Sequence, residues 1–170
     1  MKNKTVVILG SSRSNGNTRK IVDELILLSP DIDIVDLNNY SISYYDYEFK
    51  NESDDFFNLF LKILDYDTLI FATPIYWYTM SAQTKTFLDR ISDVLHGDKK
   101  AYGRKLRGKN LAAISCGSNS EIFDGFTMPF VQTANYLGMN FIGHVHTWLE
   151  QNSRPPRAVL NNIKKFSNNL

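Results

Sequence analysis

TVVILGSSRSNGNTRKIV, residues 5–22, is the stretch whose reading decides the fold. Val6, Val7, Ile8 and Leu9 form an unbroken apolar run, the pattern of a strand buried on both faces of a parallel sheet. Residues 10–16 then concentrate hydroxyls, amides and glycine. Asn17 or Thr18 is placed to cap a helix that carries Ile21, Val22, Leu25 and Leu28 on one side. A loop between a strand end and a helix start receives unpaired backbone N–H groups and the positive end of the helix dipole, which makes it an anion site.

The composition of the loop narrows the anion. It has neither the G-x-G-x-x-G of a dinucleotide site nor the G-x-x-x-x-G-K-[ST] of a nucleoside triphosphate site. Ser11, Ser12, Ser14, Asn17 and Thr18 offer neutral donors around Gly16, and Arg13 offers one cation; this set suits a compact terminal monophosphate. A plain polar turn is the simpler reading, but so many hydroxyl and amide side chains exceed what a short βα turn requires. Glycine and serine stand where a low-molecular-weight tyrosine phosphatase needs a nucleophilic cysteine, and the acidic pair of a response-regulator receiver is missing after the strand.

At 170 residues the chain suits one domain, taken here as 1–170. With 19 basic and 18 acidic side chains the formal charge is +1, so neither nucleic acid nor an acidic membrane surface is attracted globally. The absence of a signal-peptide pattern and of an apolar run of spanning length leads to the expectation of a cytoplasmic protein with no membrane partner. The single cysteine, Cys116, excludes an intrachain disulfide, and its place at the end of a buried strand favours a structural thiol.

Along the chain, residues 32–37 read as a short edge strand and 38–53 as a long aromatic loop that either packs on its own domain or walls a binding site. Asp54 and Asp55 precede a helix with Phe56, Phe57, Leu59, Phe60, Ile63 and Leu64 on one face. Residues 68–72 form a buried strand that runs into TPIYWYTMS at 73–81, followed by a helix over 82–95. The basic run at 97–109 reads as a solvated loop, 111–116 as the fourth strand, and 123–137 as a helix stopped by Gly138. Residues 141–148 give the fifth strand, with His144 and His146 on one face in structural or surface roles. Pro155 and Pro156 open a last helix with Val159, Leu160, Ile163 and Phe166. Five strands alternating with five helices predict an α/β three-layer sandwich on a five-stranded parallel sheet of order 2-1-3-4-5. In that order the loops at 10–17, 73–81 and 117–121 converge at one end of the sheet.

The phosphate loop SSRSNGNT at 11–18, together with PIYWYTMSAQTKTFLDR at 74–90, resembles the NADPH-dependent FMN reductase family of flavodoxin-like NAD(P)H oxidoreductases. The resemblance implies that Ser11, Arg13, Ser14, Gly16, Asn17 and Thr18 hold the FMN phosphate. It further implies that Pro74, Ile75, Tyr76 and Trp77 border the isoalloxazine ring, and that Gly117 and Ser118 lie beneath its pyrimidine edge. NAD(P)H would be the co-substrate, with no protein nucleophile and no metal. A small quinone, flavin, azo or nitro compound would be the acceptor, and a homodimer or homotetramer the assembly. Lys85, Phe87, Asp89 and Arg90 would support the loop. An expectation outside the resemblance is that the basic segment 99–109, with Arg104 and Lys105 as its test positions, meets a phosphate of the nicotinamide nucleotide.

Overall fold

The computed structural model describes residues 3–149 and 154–170. Strands β1 (Thr5–Leu9), β2 (Ile32–Asp36), β3 (Thr68–Pro74), β4 (Asn110–Gly117) and β5 (Asn140–Trp148) form one sheet in the order β2-β1-β3-β4-β5. Every neighbouring pair is parallel. This is the flavodoxin-like topology expected of the alternation.

The unbroken run of β1 follows from its central position. Val6 and Ile8 enter a core with Phe56, Phe60, Phe71, Phe87 and Phe130, while Val7 and Leu9 enter a second core with Ile21, Val22, Leu25, Val159 and Ile163. Helices α2 (Phe56–Ile63), α3 (Ala82–Arg90) and α5 (Met128–Leu137) cover the first face; α1 (Asn17–Leu28) and α6 (Arg157–Ser167) cover the second. Among the described residues no helix is long and apolar enough to cross a membrane.

Several boundaries move. Gly125 at φ 91° and a chain of tight turns at 123–128 postpone α5 to Met128, with a proline in its first turn. Gly138 ends it in the left-handed conformation, as its position predicts. After Arg90 the α3 helix tightens into a 310 turn at Ile91–Val94. Leu160 lies on the exposed side of α6, outside the core assigned to it.

The basic run is not a plain loop. It folds as 310 turns at Gly97–Lys99 and Arg104–Leu106 around a one-turn helix, α4 (Lys100–Gly103). Leu106 is fully buried, and Gly103 lies so close to the 310 turn after α3 that a Cβ would sit 2.2 Å from the carbonyl oxygen of Val94. The segment leads into the first residue of β4, where Asn110 N–H donates to Asp67 O and Lys109 Nζ to Tyr66 O. That is the N-terminal end of the sheet, roughly 25 Å of strand away from the converging loops. Arg104 and Lys105 therefore do not meet a nucleotide bound there.

The aromatic loop after β2 is held by Arg90, whose side chain is only 2% exposed. Its guanidinium donates to Asp54 through both terminal nitrogens, to Asp93 through Nε, and to the carbonyls of Ser43 and Asn51. It also lies over the ring of Phe56, 4.9 Å from the centroid. Tyr40 and Ile42 pack on the core, whereas Tyr44 and Tyr47 remain exposed. A buried guanidinium is tolerable because all its donors are used, and removal of one partner leaves an uncompensated charge.

Burial works against the Asp54 carboxylate, but the bonds from Arg90 and from the N–H groups of Ser43 and Phe56 outweigh it and hold its pKa below the usual value. A depressed carboxylate stabilises the fold fully above the unfolded pKa and loses that contribution as pH falls through the folded value. Arg90→Ala is expected to lower stability by about 3–5 kcal/mol at pH 7 in urea unfolding. Asp54→Asn is expected to lower it at pH 7 and to flatten the loss of stability that the unsubstituted protein shows below about pH 4.

Candidate functional site

The end of β1 and the start of α3 are fastened together. Ser81 caps α3 by accepting from Thr84 N–H, and its hydroxyl donates to the carbonyl oxygen of Gly10. A Cβ on Gly10 would sit 2.0 Å from Thr84 Oγ1, so only glycine permits this approach. Thr73 at the end of β3 accepts from Ser81 N–H, which ties the second loop to the same point.

From Gly10 the chain enters the predicted anion loop. Ser11 is buried, and its Oγ faces Arg13 N–H at 3.4 Å; Gly16 N–H closes a turn onto Arg13 O. The helix cap is Gly16, not Asn17 or Thr18, and among the described residues no side chain bonds the first turn of α1. The first helical bond is Lys20 N–H to Gly16 O, so the N–H groups of Asn17, Thr18 and Arg19 point out of the helix start without i−4 partners. Asn17 instead sends its amide to the carbonyl of Leu149, at 3.3 Å.

Asn38, which sequence reading left inside the aromatic loop, braces the anion loop. Its amide donates to Ser11 O and Ser14 Oγ, and its oxygen accepts from Gln83 of α3. Asp36 fixes Asn38 in turn by accepting from its N–H. The one local signal was the Asp-x-Asn spacing after β2, an Asx turn. Gln83 Oε1 is buried and, among the described residues, has no partner.

The second loop is a tight reversal. Tyr76 and Thr79 exchange backbone hydrogen bonds of 2.9 and 3.1 Å, and Trp77 and Tyr78 between them both have positive φ, 47° and 67°. Two left-handed residues in sequence make a type I′ turn, a conformation that normally selects asparagine and glycine. Trp77 is 90% exposed, while Tyr78 packs edge-on against Phe123 with centroids 4.7 Å apart. Pro74 is buried at the end of β3, Ile75 is half-buried, and Ile75 N–H donates to Cys116 O.

The third loop follows β4. Gly117 O accepts from Leu149 N–H, and Ser118, Asn119 and Ser120 are exposed. Their N–H groups have no hydrogen-bond partner among the described residues. Beneath them, Ser115 Oγ lies 2.8 Å from His144 Nε2 and 2.9 Å from His146 Nδ1, and His146 Nε2 lies 3.0 Å from Asn119 O. Burial, reinforced by the charge of its neighbour, pushes His144 down to about 4; burial also lowers His146, against the bond to Asn119. The thiol of Cys116 is pushed by burial up to about 11, despite hydrogen bonds to Thr147 and Thr18, so it is not a thiolate at neutral pH.

The predicted residues thus fall into three loops at the C-terminal end of β1, β3 and β4, beside the switch point between β1 and β3. Their donors are an uncapped helix start, hydroxyls and one exposed cation on one side, an aromatic turn in the middle, and free loop N–H groups on the other. Residues 3–153 match the family of NADPH-dependent FMN reductases. The chain belongs to that family.

Among its relatives in the family's wider circle, a putative NAD(P)H-dependent FMN-containing oxidoreductase of Bacillus subtilis is 30% identical over 161 residues, covering 89% of this chain and 87% of the relative. A solved structure described as the Trp repressor binding protein of Bacillus subtilis superposes with a TM-score of 0.74 at 25% identity, over 95% of this chain and 96% of the other. An FMN-dependent NADH-azoreductase of Bacillus anthracis, solved with FMN, shares the fold at 12% identity, with a TM-score of 0.69 and coverage of 98% and 97%.

In this FMN reductase family member, Lys85, Phe87, Asp89 and Arg90 divide their work. Lys85 pairs with Asp89 on the surface of α3, Phe87 is core, and Arg90 holds the loop after β2. The left-handed turn has a stability cost that a tolerant residue would remove. Trp77→Asn is expected to raise the unfolding free energy by about 1 kcal/mol, seen as a higher urea midpoint at unchanged slope, since Trp77 has almost no burial to lose.

Proposed function

We propose that this chain binds FMN across the three loops and works as an NAD(P)H oxidoreductase that passes electrons to a small acceptor such as a quinone, flavin, azo or nitro compound. The observation that carries the reading is the convergence of the uncapped start of α1, the Tyr76–Thr79 turn and the 117–121 loop at one end of the sheet. The residues fit the cofactor by the chemistry of their donors. Ser11, Arg13, Ser14, Gly16, Asn17 and Thr18 form the phosphate end, where many neutral donors and a single cation surround a dianion. Pro74, Ile75, Tyr76 and Trp77 form the wall for a flat ring, and Gly117 with Ser118 the donors for its polar edge.

When bound, FMN supplies hydride and electron transfer between a nicotinamide and an acceptor. The chain's own part is to bind, orient and exclude water. The α1 dipole and Arg13 hold the phosphate, and Asn38 keeps Ser11 and Ser14 in place for it. Trp77 and Tyr78 offer aromatic surface where a second flat molecule can stack in turn with the first. No side chain is asked to act as a nucleophile, in keeping with the buried, fully protonated Cys116.

A homodimer or homotetramer also belongs to this reading. It is supported by an apolar groove of about 360 Å³ between α3 and α5, lined by Met80, Leu88, Ile91, Leu95 and Tyr136, beside exposed Met128 and Tyr136. Tyr136→Asp is expected to convert the assembly to monomers in sedimentation equilibrium; an unchanged mass would remove this groove as the interface.

The reading is tested by an anaerobic visible spectrum of the protein reconstituted with FMN. Addition of NADPH or NADH is expected to bleach the flavin band within seconds, and an acceptor to restore it. A bound flavin that neither nucleotide bleaches would mean an electron carrier or sensor instead. Arg13→Ala is expected to weaken FMN binding about tenfold or more while leaving riboflavin, which has no phosphate, nearly unaffected.

A further inference from the structure

Ser115, His144 and His146 form a polar chain inside the sheet face next to the third loop, and nothing in the function described so far uses them. Ser115 is fully buried on β4; the two histidines are half-buried on β5, the edge strand. His144 packs at a tilt against Phe126, with centroids 5.4 Å apart, and His146 is stacked on Trp148 at 5.9 Å. Among the described residues, Lys165 of α6 is the one charged side chain besides the histidines that lines the cavity of about 480 Å³ onto which both histidines open.

The proton positions in this chain follow from its partners. Asn119 presents a carbonyl oxygen to His146 Nε2, and a carbonyl only accepts, so Nε2 carries the hydrogen. In a neutral ring Nδ1 is then bare, and it accepts from the Ser115 hydroxyl. The one hydroxyl proton is thereby used, so Ser115 Oγ must accept from His144, which places that ring's hydrogen on Nε2 as well. The bonds run in one direction: His144 to Ser115, Ser115 to His146, His146 to Asn119. The other neutral tautomer of His146 would set its bare Nε2 lone pair against the Asn119 oxygen and push the 117–121 loop away.

The packing leaves the loop little freedom to move independently of this ring. A Cβ on Gly117 would lie 3.1 Å from His146 Cε1, so strand and imidazole are in close contact where the loop begins. Asn119 is fixed a second way, because its own side-chain oxygen accepts from Glu121 N–H at 3.1 Å.

We propose that Ser115 and His144 lock His146 in its Nε2–H tautomer, and that this N–H, through the Asn119 carbonyl, holds the 117–121 loop in the shape that receives the polar edge of the flavin ring. His146 is thus a positioning residue acting through the loop. The inference rests on the proposed FMN site for its second half, while its first half concerns the protein without cofactor.

The test has two readouts. In the protein without FMN, nitrogen-15 chemical shifts of the imidazoles at pH 7 should show both rings neutral with the hydrogen on Nε2. In Ser115→Ala, His146 should become a mixture of tautomers. An Nδ1–H or mixed His146 in the unsubstituted protein would overturn the lock. FMN and riboflavin affinities then test the loop. His146→Leu should weaken both ligands by the same factor, about tenfold, because the phosphate loop is untouched. Ser115→Ala should do so more mildly. His146→Gln, whose amide nitrogen reaches the place of Nε2 and can still donate to Asn119, should restore affinity to within about threefold. Unchanged affinity in His146→Leu and Ser115→Ala would overturn the positioning role, as would a loss that falls on FMN alone. If the unsubstituted protein bound neither flavin, the FMN reading and the second half of this inference would fall together, and the tautomer result would stand by itself.

Discussion

The contact between Gly10 and the start of α3 is the constraint on which the site depends. Two crossover loops, from β1 to α1 and from β3 to α3, leave the same end of the sheet, and each alone would be free to splay. The carbonyl of Gly10 is drawn onto the Ser81 hydroxyl, with Thr84 Oγ1 3.4 Å away, and the absence of a side chain on Gly10 brings the two backbones together. Ser81, Thr84 and Thr73 are all buried, which is tolerable only because each hydroxyl has a partner. An orphaned buried hydroxyl would cost about 1–3 kcal/mol. The cluster therefore acts as a rivet: it is stable when both loops are in place and strained when either moves. The third loop joins through Ile75 N–H to Cys116 O, one strand further along.

What lies on one element was legible in the sequence, and what depends on contacts between distant elements was not. The buried run of β1 and the apolar stripe of α1 are local patterns that the two cores reproduce, and the alternation of strands and helices along the chain predicted the sheet order. The cap of α1 was misread for a physical reason. Asn17 has the right chemistry for capping, but its amide goes to Leu149, 132 positions away, and Gly16 takes the cap without a side chain. The basic run looked like a solvated loop because charge dominates its composition; its fold is set by Leu106 and by the fit of Gly103 against Val94. Arg90 was recognisable as a member of a pattern on α3, yet its partners at Ser43, Asn51 and Asp54 come from a loop with no periodicity to reveal them.

Local rules are broken where the site is built. A type I′ turn of Trp77 and Tyr78 is a poor choice for folding, since both need φ > 0 and neither is glycine or asparagine. The rivet beneath it makes the choice possible: Ser81 and Thr73 fix the chain on the far side of the turn, so the left-handed pair is held in place by its surroundings. In return the turn lifts a wide indole out of the surface and lays a phenol ring against Phe123. Consistency of local and global preference is kept in the strands and given up in this one loop, where strain is held by the surrounding packing.

The two buried polar networks on the α5 side of the sheet show how charge is distributed around that site. The one at Arg90 is ionic and lies beyond α3, where it fastens a surface loop; two carboxylates and two carbonyls balance the guanidinium. The one at Ser115 lies directly under the third loop and is neutral, with burial holding both imidazoles below the usual value and the nearby His146 lowering His144 further. A charge there would be felt strongly through a medium of low polarity by anything bound above it. The chain thus carries a permanent cation, Arg13, in the first loop and a neutral hydrogen-bonded chain beneath the third. A neutral relay can fix the direction of donors without adding a field of its own, and the geometry from His144 to Asn119 does this with one hydroxyl proton and two imidazole protons.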